Sequence, residues 1–155
     1  MQVARYYCRK GQTTISLLPD CLASHLSSSL AEVEQVVETV DAAASLWKAA
    51  EKLRPDITLL SAARWVRSRL RGVRAAMLSL IGLFPDLFVR AEPTIASFRR
   101  ALDVTDVLVA MRETGAAHLK ALPPPVGFGP RQKVMPPTRH QRQHDMGPDP
   151  PKKTG

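Results

Sequence analysis

The sequence predicts a mainly α fold: a small helical bundle with a helix-turn-helix, a short N-terminal β-hairpin remnant and a disordered C-terminal tail. Three observations carry that expectation. Apolar residues recur at three- and four-residue spacing through most of 30–109, the period of a helix with one buried face. Aromatic residues make up only 5% of the 155-residue chain and glycine only 8 positions, which favours helices over an extensive sheet. Nine of the 13 prolines fall in 123–155, with four glycines and few large apolar residues, so that stretch has too little to bury to fold alone.

The elements follow in order. Residues 5–18 read as an extended or hairpin piece, in which Tyr6 and Tyr7 lead into the turn-prone Lys10-Gly11, followed by Thr13, Thr14 and Ile15. Pro19 and Asp20 end it. Ser29, with Glu32 three residues on, has the form of a capping box and opens a first helix to about Asp41, on which Leu30, Val33, Val36, Val37 and Val40 share a face. A second helix is expected over 42–54, with Leu46, Ala49, Ala50 and Leu53 inward, and Pro55 forbids its continuation. Asp56 or Thr58 caps a third, running to about Phe84 before Pro85. At about 3.6 residues per turn its buried arc is Ala62, Val66, Leu70, Val73, Met77 and Ile81. A fourth helix is expected from Pro93, in its first turn, to Glu113, burying Ile95, Phe98, Leu102, Thr105 and Val109, with Gly115 as its stop. These elements divide the chain into an N-terminal remnant (1–26), a helix-turn-helix-like unit (27–88), an additional helix packed on it (89–122) and a Pro-rich basic tail (123–155).

Charge is the sharpest functional signal. The formal net charge is +8 and the pI about 10.1, which points to nucleic acid or an anionic surface without separating the two. On the third helix, Arg64, Arg67, Arg71 and Arg74 fall in an arc beside the apolar one. Residues 61–90 hold six arginines against one acid, Asp86. Residues 31–56 are the reverse, with six acids against Lys48, Lys52 and Arg54. Two readings of that alternation stand: attraction between solvated faces within the molecule, or an acidic face turned away from DNA while the arginine face meets it. The longest apolar stretch, 75–84, falls short of the about 20 residues that span a bilayer. It must be covered, either by 95–109 folding back or by a second subunit, so a homodimer through this end of helix 58–84 is one expectation. Two cysteines, Cys8 and Cys21, cannot form the disulfide scaffold of a small secreted domain, and the N-terminus lacks the apolar run of a secretory signal. A cytoplasmic setting is expected.

The run Arg5-Tyr6-Tyr7-Cys8-Arg9-Lys10-Gly11-Gln12-Thr13-Thr14-Ile15-Ser16-Leu17-Leu18-Pro19-Asp20 resembles the end of the zinc-ribbon segment of a group of bacterial transposase-like proteins, with a pattern of the kind R-Y-x-C-x-x-C-x-x-T-F-S-L-L-P ahead of a helix-turn-helix-type region. The stretch from Ala62 to Arg67 suits that later region, and the resemblance covers roughly 5–88. It implies a DNA-binding protein of mobile-element origin, truncated before any strand-transfer domain. The ribbon itself is degenerate. A tetrahedral zinc site needs four Cys or His ligands, usually in two close pairs, whereas Gly11 stands where the partner of Cys8 belongs. A Cys8, Cys21, His25 set lacks a fourth ligand, and Cys21 reads as a small buried thiol. No metal and no cofactor are therefore expected.

No catalytic arrangement is expected either. Asp86, Asp103, Asp106 and Glu113 are spread over a loop and a helix rather than converging as two-metal chemistry requires. His140 and His144 share the spacing of a metal pair but sit in the proline-rich tail, and Lys152 and Lys153 add only a short basic end. The reading is a non-enzymatic protein that binds duplex DNA, with 42–54 supporting and helix 58–84 recognising. Thr58, Ser61 and Arg64 are expected to face bases, Arg67, Arg71 and Arg74 to hold phosphates, and Trp65 to pack between the helices. The alternatives are a protein-interaction or anionic-membrane-surface module using helix 58–84, or a truncated fragment without function.

Overall fold

A computed structural model describes residues 4–17 and 19–130. Strands β1 (Ala4–Cys8) and β2 (Thr13–Leu17) pair antiparallel, with Cys8 opposite Thr13 and Ala4 opposite Leu17. Gln12 takes a left-handed φ of 47° in the turn, and Thr13 Oγ1 donates to Gly11 O at 2.7 Å. Five α-helices follow: α1 (Leu30–Ala42), α2 (Leu46–Leu53), α3 (Leu59–Leu83), α4 (Ile95–Leu102) and α5 (Val107–Thr114), then a 3₁₀ turn at Ala116–His118. The fold is mainly helical with a small N-terminal hairpin, as the sequence predicts.

Capping explains the helix starts. Glu32 N donates to Ser29 Oγ at 3.1 Å and Ser29 N to Glu32 Oε2 at 2.7 Å, a complete capping box at the head of α1. Thr58 caps α3, which runs 25 residues before Phe84 and Pro85 close it. The second helix is shorter than expected. Residue 42 ends α1, Ala43 is extended, and α2 begins only after Ser45, whose hydroxyl accepts from Lys48 N at 3.3 Å.

The single helix expected over 93–113 is two. Asp103 adopts a left-handed conformation (φ 53°, ψ 49°) that ends α4, and α5 begins after Asp106. Aspartate tolerates this conformation because its short side chain can bond locally, and the β-branched Val104 and Thr105 that follow give the helix little reason to continue. Thr105 is consequently exposed rather than buried, and Val109 only half-buried.

Two apolar clusters hold the helices. Val36 of α1, Ala50 of α2, and Ala62, Ala63 and Val66 of α3 make the smaller one, so α2 and α3 pack together across 54–58 and against α1. The larger joins Val33 and Val37 to Val73, Met77 and Leu80 of α3, then to Ile95, Phe98, Leu108 and Met111. Phe98 stacks on Phe88 with ring centroids 4.6 Å apart. The inner side of the apolar end of α3, Met77 and Leu80, thus shares one core cluster with residues of α4 and α5, while Leu78 and Leu83 on the same stretch stay exposed. Fully burying side chains of this size stabilises by about 1.5–3 kcal/mol each.

Two buried charges organise this half. The Glu34 carboxylate, on α1, accepts from Leu108 N at 2.9 Å and from Arg99 Nη2 at 3.0 Å, and Arg99 also pairs with Glu38. Asp106 makes no side-chain cap bond, so Glu34 supplies from another helix the acceptor, and the negative charge, that the N-terminus of α5 lacks. Replacing Glu34 with glutamine is expected to cost about 1.5–3 kcal/mol, the range for hydrogen bonds to a charged group. Urea unfolding should show a lower midpoint at constant m, and an unchanged midpoint would refute this role.

Arg112, 4% exposed, fans its guanidinium over four backbone carbonyls: Val126 O at 2.8 Å, Pro125 O at 2.8 Å, and Asp20 O and Leu22 O at 2.7 Å each. Ser24 N adds a bond to Pro125 O at 3.0 Å. These bonds correct the expected boundary at 123. Residues 123–127 are buried, and Val126 belongs to the larger core cluster, because neighbouring chain rather than its own composition satisfies this segment. The remainder of the expected tail, 131–155, lies outside the described residues, and with it His140, His144, Lys152 and Lys153. Cys21 is exposed rather than a buried thiol, the burial in that loop falling to Ala23 and Ser24.

Candidate nucleic-acid interface

Helix α3 contains five arginines and no acid. With Val66, Val73 and Met77 fixed in the core, the helical repeat turns Arg64, Arg67, Arg71 and Arg74 to solvent on one face, and all four are exposed. Leu60 (54% exposed) and Leu78 (58% exposed) share that face at its two ends. Arg74 approaches Asp41 Oδ1 of α1 at 3.4 Å, so the attraction between acidic and basic faces is realised at this one position of the stripe. Arg64, Arg67 and Arg71 have no ion pair among the described residues. Over 64–74 the row extends about 15 Å at 1.5 Å per residue.

Arg69 is different. Its guanidinium lies 3.7 Å from the centroid of the Trp65 ring, with Arg54 at 5.2 Å, and burial pulls its pKa below the ordinary arginine value. Trp65 is partly buried against the smaller cluster, so its stacking braces the α2–α3 corner. Arg54 also makes a two-pronged pair with Asp56 (Nε to Oδ1 2.8 Å, Nη2 to Oδ2 2.7 Å), whose hydrogen bonds hold the Asp56 carboxyl below its usual range. The contribution of this pair is present above the ordinary carboxylate pKa and fades as pH falls through the lowered one. Because Asp56 is exposed and Arg54 only partly covered, it is small.

At the head of α3, Thr58 and Ser61 serve the helix itself. Ser61 N donates to Thr58 Oγ1 at 3.4 Å, and Thr58 Oγ1 donates to Ser61 Oγ at 2.9 Å. Ser61 retains its own hydroxyl proton for a partner, whereas Thr58 is committed to the cap.

The arginine face is one side of a cleft of about 740 Å³. Arg64, Arg67, Arg71 and Arg74 line it together, with Ser68 and Ala75 beside them on α3. The opposite side is apolar: the half-buried Leu26 and the edges of the otherwise buried prolines 123, 124 and 125. Gly72 lets this wall rest on the helix, since a Cβ there would lie 2.9 Å from Pro124 O and 3.3 Å from Pro125 Cδ. Periodicity finds the arginines but not the wall. Its trace within α3 is Gly72, one of two glycines in the helix and the one that meets the wall.

Among the described residues, no group of three or more His, Cys, Asp or Glu side chains is placed to hold a metal ion, and Cys8, Cys21 and His25 form no such set. Among the described residues, no helix is long and apolar enough to cross a membrane. Comparison with protein-family models, with curated proteins and with solved structures yields no match to this chain.

Proposed function

We propose that the chain is a non-catalytic DNA-binding protein that meets duplex DNA through the arginine face of α3. The observation that carries this reading is the row of exposed Arg64, Arg67 and Arg71, lacking acidic partners among the described residues, on a helix with no carboxylate. A cationic row of this kind gains affinity by releasing counterions from phosphates. Arg67 and Arg71 hold the backbone, Arg74 joins them by leaving Asp41, and Arg64 with Ser61 reaches base edges from the first turns of the helix. The motif from Arg5 to Asp20 supports a transposase-like origin, and DNA as partner goes with a cytoplasmic location. Leu83, the last residue of α3, and Leu87 just beyond it are both exposed and offer the apolar surface for a homodimer.

A second reading draws on Leu60 and Leu78, which put apolar side chains on the arginine face and suit a protein partner or an anionic lipid surface. Salt titration of duplex binding tests the first reading. The logarithm of affinity should fall linearly with the logarithm of salt, and Arg71→Ala should flatten the slope by about 0.9, one phosphate's worth. Arg64→Ala should narrow the difference between sequences. A folded protein that binds no duplex at low salt sinks the DNA reading, and liposome binding in its place selects the second.

A further inference from the structure

We infer that the cleft between α3 and prolines 123–125 seats an unpaired strand of nucleic acid, phosphates against the arginines and sugars and bases against the apolar wall. The inference rests on the nucleic-acid reading of α3 and names the form of nucleic acid that fits it. A duplex presents phosphates on its outside and keeps its base faces stacked within, so it has nothing to lay on Leu26 and the three prolines. An unpaired strand has both chemistries along its length: an anionic edge and the flat apolar faces of its bases. The cleft has the same two sides. Its charged lining consists entirely of arginines, and its other wall carries no charged side chain. Its volume of about 740 Å³ lies within the about 300–1,000 Å³ typical of sites that enclose small molecules, suited to a few nucleotides rather than the width of a double helix.

The row of guanidiniums also distinguishes this ligand from a lipid headgroup. Arg64, Arg67, Arg71 and Arg74 succeed one another every three or four residues, about 4.5–6 Å along the axis, which matches a polymer of repeated phosphates better than a single headgroup. The wall is preformed. Proline restricts its backbone, Arg112 and Ser24 anchor it from behind, and Gly72 allows it to lie directly on α3, so little ordering remains for binding to supply. The side chains of the wall, Leu26 and the three prolines, carry no donor or acceptor, so their contact with bases is independent of sequence.

The test compares fluorescein-labelled oligo-dT, the matched duplex and anionic phospholipid vesicles on the same protein. Oligo-dT is expected to bind about tenfold tighter than the duplex, a difference of about 1.4 kcal/mol. A strand carrying photoreactive 4-thiothymine should crosslink to 123–125 or Leu26 as well as to α3. Ser68→Glu, which sets a carboxylate on the exposed cleft side of α3 within a turn of Arg64 and Arg71, should weaken oligo-dT binding at least about tenfold without loss of helicity. Duplex binding with oligo-dT tenfold weaker, or crosslinks confined to α3, overturns the inference and leaves the α3 reading intact. Failure of both nucleic acids overturns both, and vesicle binding alone assigns the cleft to a lipid.

Discussion

Replacing Arg112 with methionine is expected to lower the unfolding free energy by about 3–5 kcal/mol, a large share of the about 5–15 kcal/mol that a domain of this kind possesses. Methionine keeps much of the apolar length, so the loss isolates the guanidinium. Ser24 still serves the Pro125 carbonyl, but the carbonyls of Asp20, Leu22 and Val126 lose their charged donor. Burial pushes the Arg112 pKa down from its ordinary value, because the guanidinium is withdrawn from solvent. Lysine should rescue little, because one ammonium cannot span a fork of acceptors that joins 20–22 to 125–126. Guanidinium unfolding of the Met and Lys variants measures this, and a loss under about 1 kcal/mol would remove Arg112 from its role as the clamp between the two loops. The same variants loosen the proline wall, so any that stay folded should bind oligo-dT more weakly.

The second large effect concerns binding. Changing Arg64, Arg67 and Arg71 together to alanine should reduce the salt slope for duplex DNA by about 2.7, three phosphates at about 0.9 each, and lower affinity near physiological salt on the order of a hundredfold. Stability should hardly move. The three side chains are exposed and make no ion pair among the described residues, and alanine is at least as good a helix former as arginine. Circular dichroism confirms that the fold persists while fluorescence anisotropy reads the affinity. An unchanged slope would show that the phosphate contacts lie elsewhere on this cationic chain.

The elements that were legible from the sequence are those whose causes are local. Ser29 with Glu32, Thr58 before α3, and Pro55 and Pro85 after their helices each act over three or four residues, and the structure uses them as expected. The arginine face was legible for the same reason: helical period is a property of neighbours in sequence. Features with distant or single-residue causes leave no such mark. The break at Asp103 falls in a stretch whose apolar spacing continues through it. Period alone cannot see a left-handed residue. Ala42 and Ala43 favour helices in general and so draw the expected start of α2 forward, while Ser45 supplies the actual cap.

By itself the sequence determined the helical class, the ends of α1 and α3, and a cationic face on α3 able to meet a polyanion. Tertiary structure alone decided that Arg112 and Ser24 draw residues 123–127 into the core, that Glu34 caps α5 from α1, and that the arginine face becomes half of a cleft. The physical reason is range. Caps, periods and proline stops are written within a turn or two of chain, whereas Arg112 bonds to Asp20 across 92 residues, and Glu34 to Leu108 across 74. No composition or period at either end of such a pair records the other.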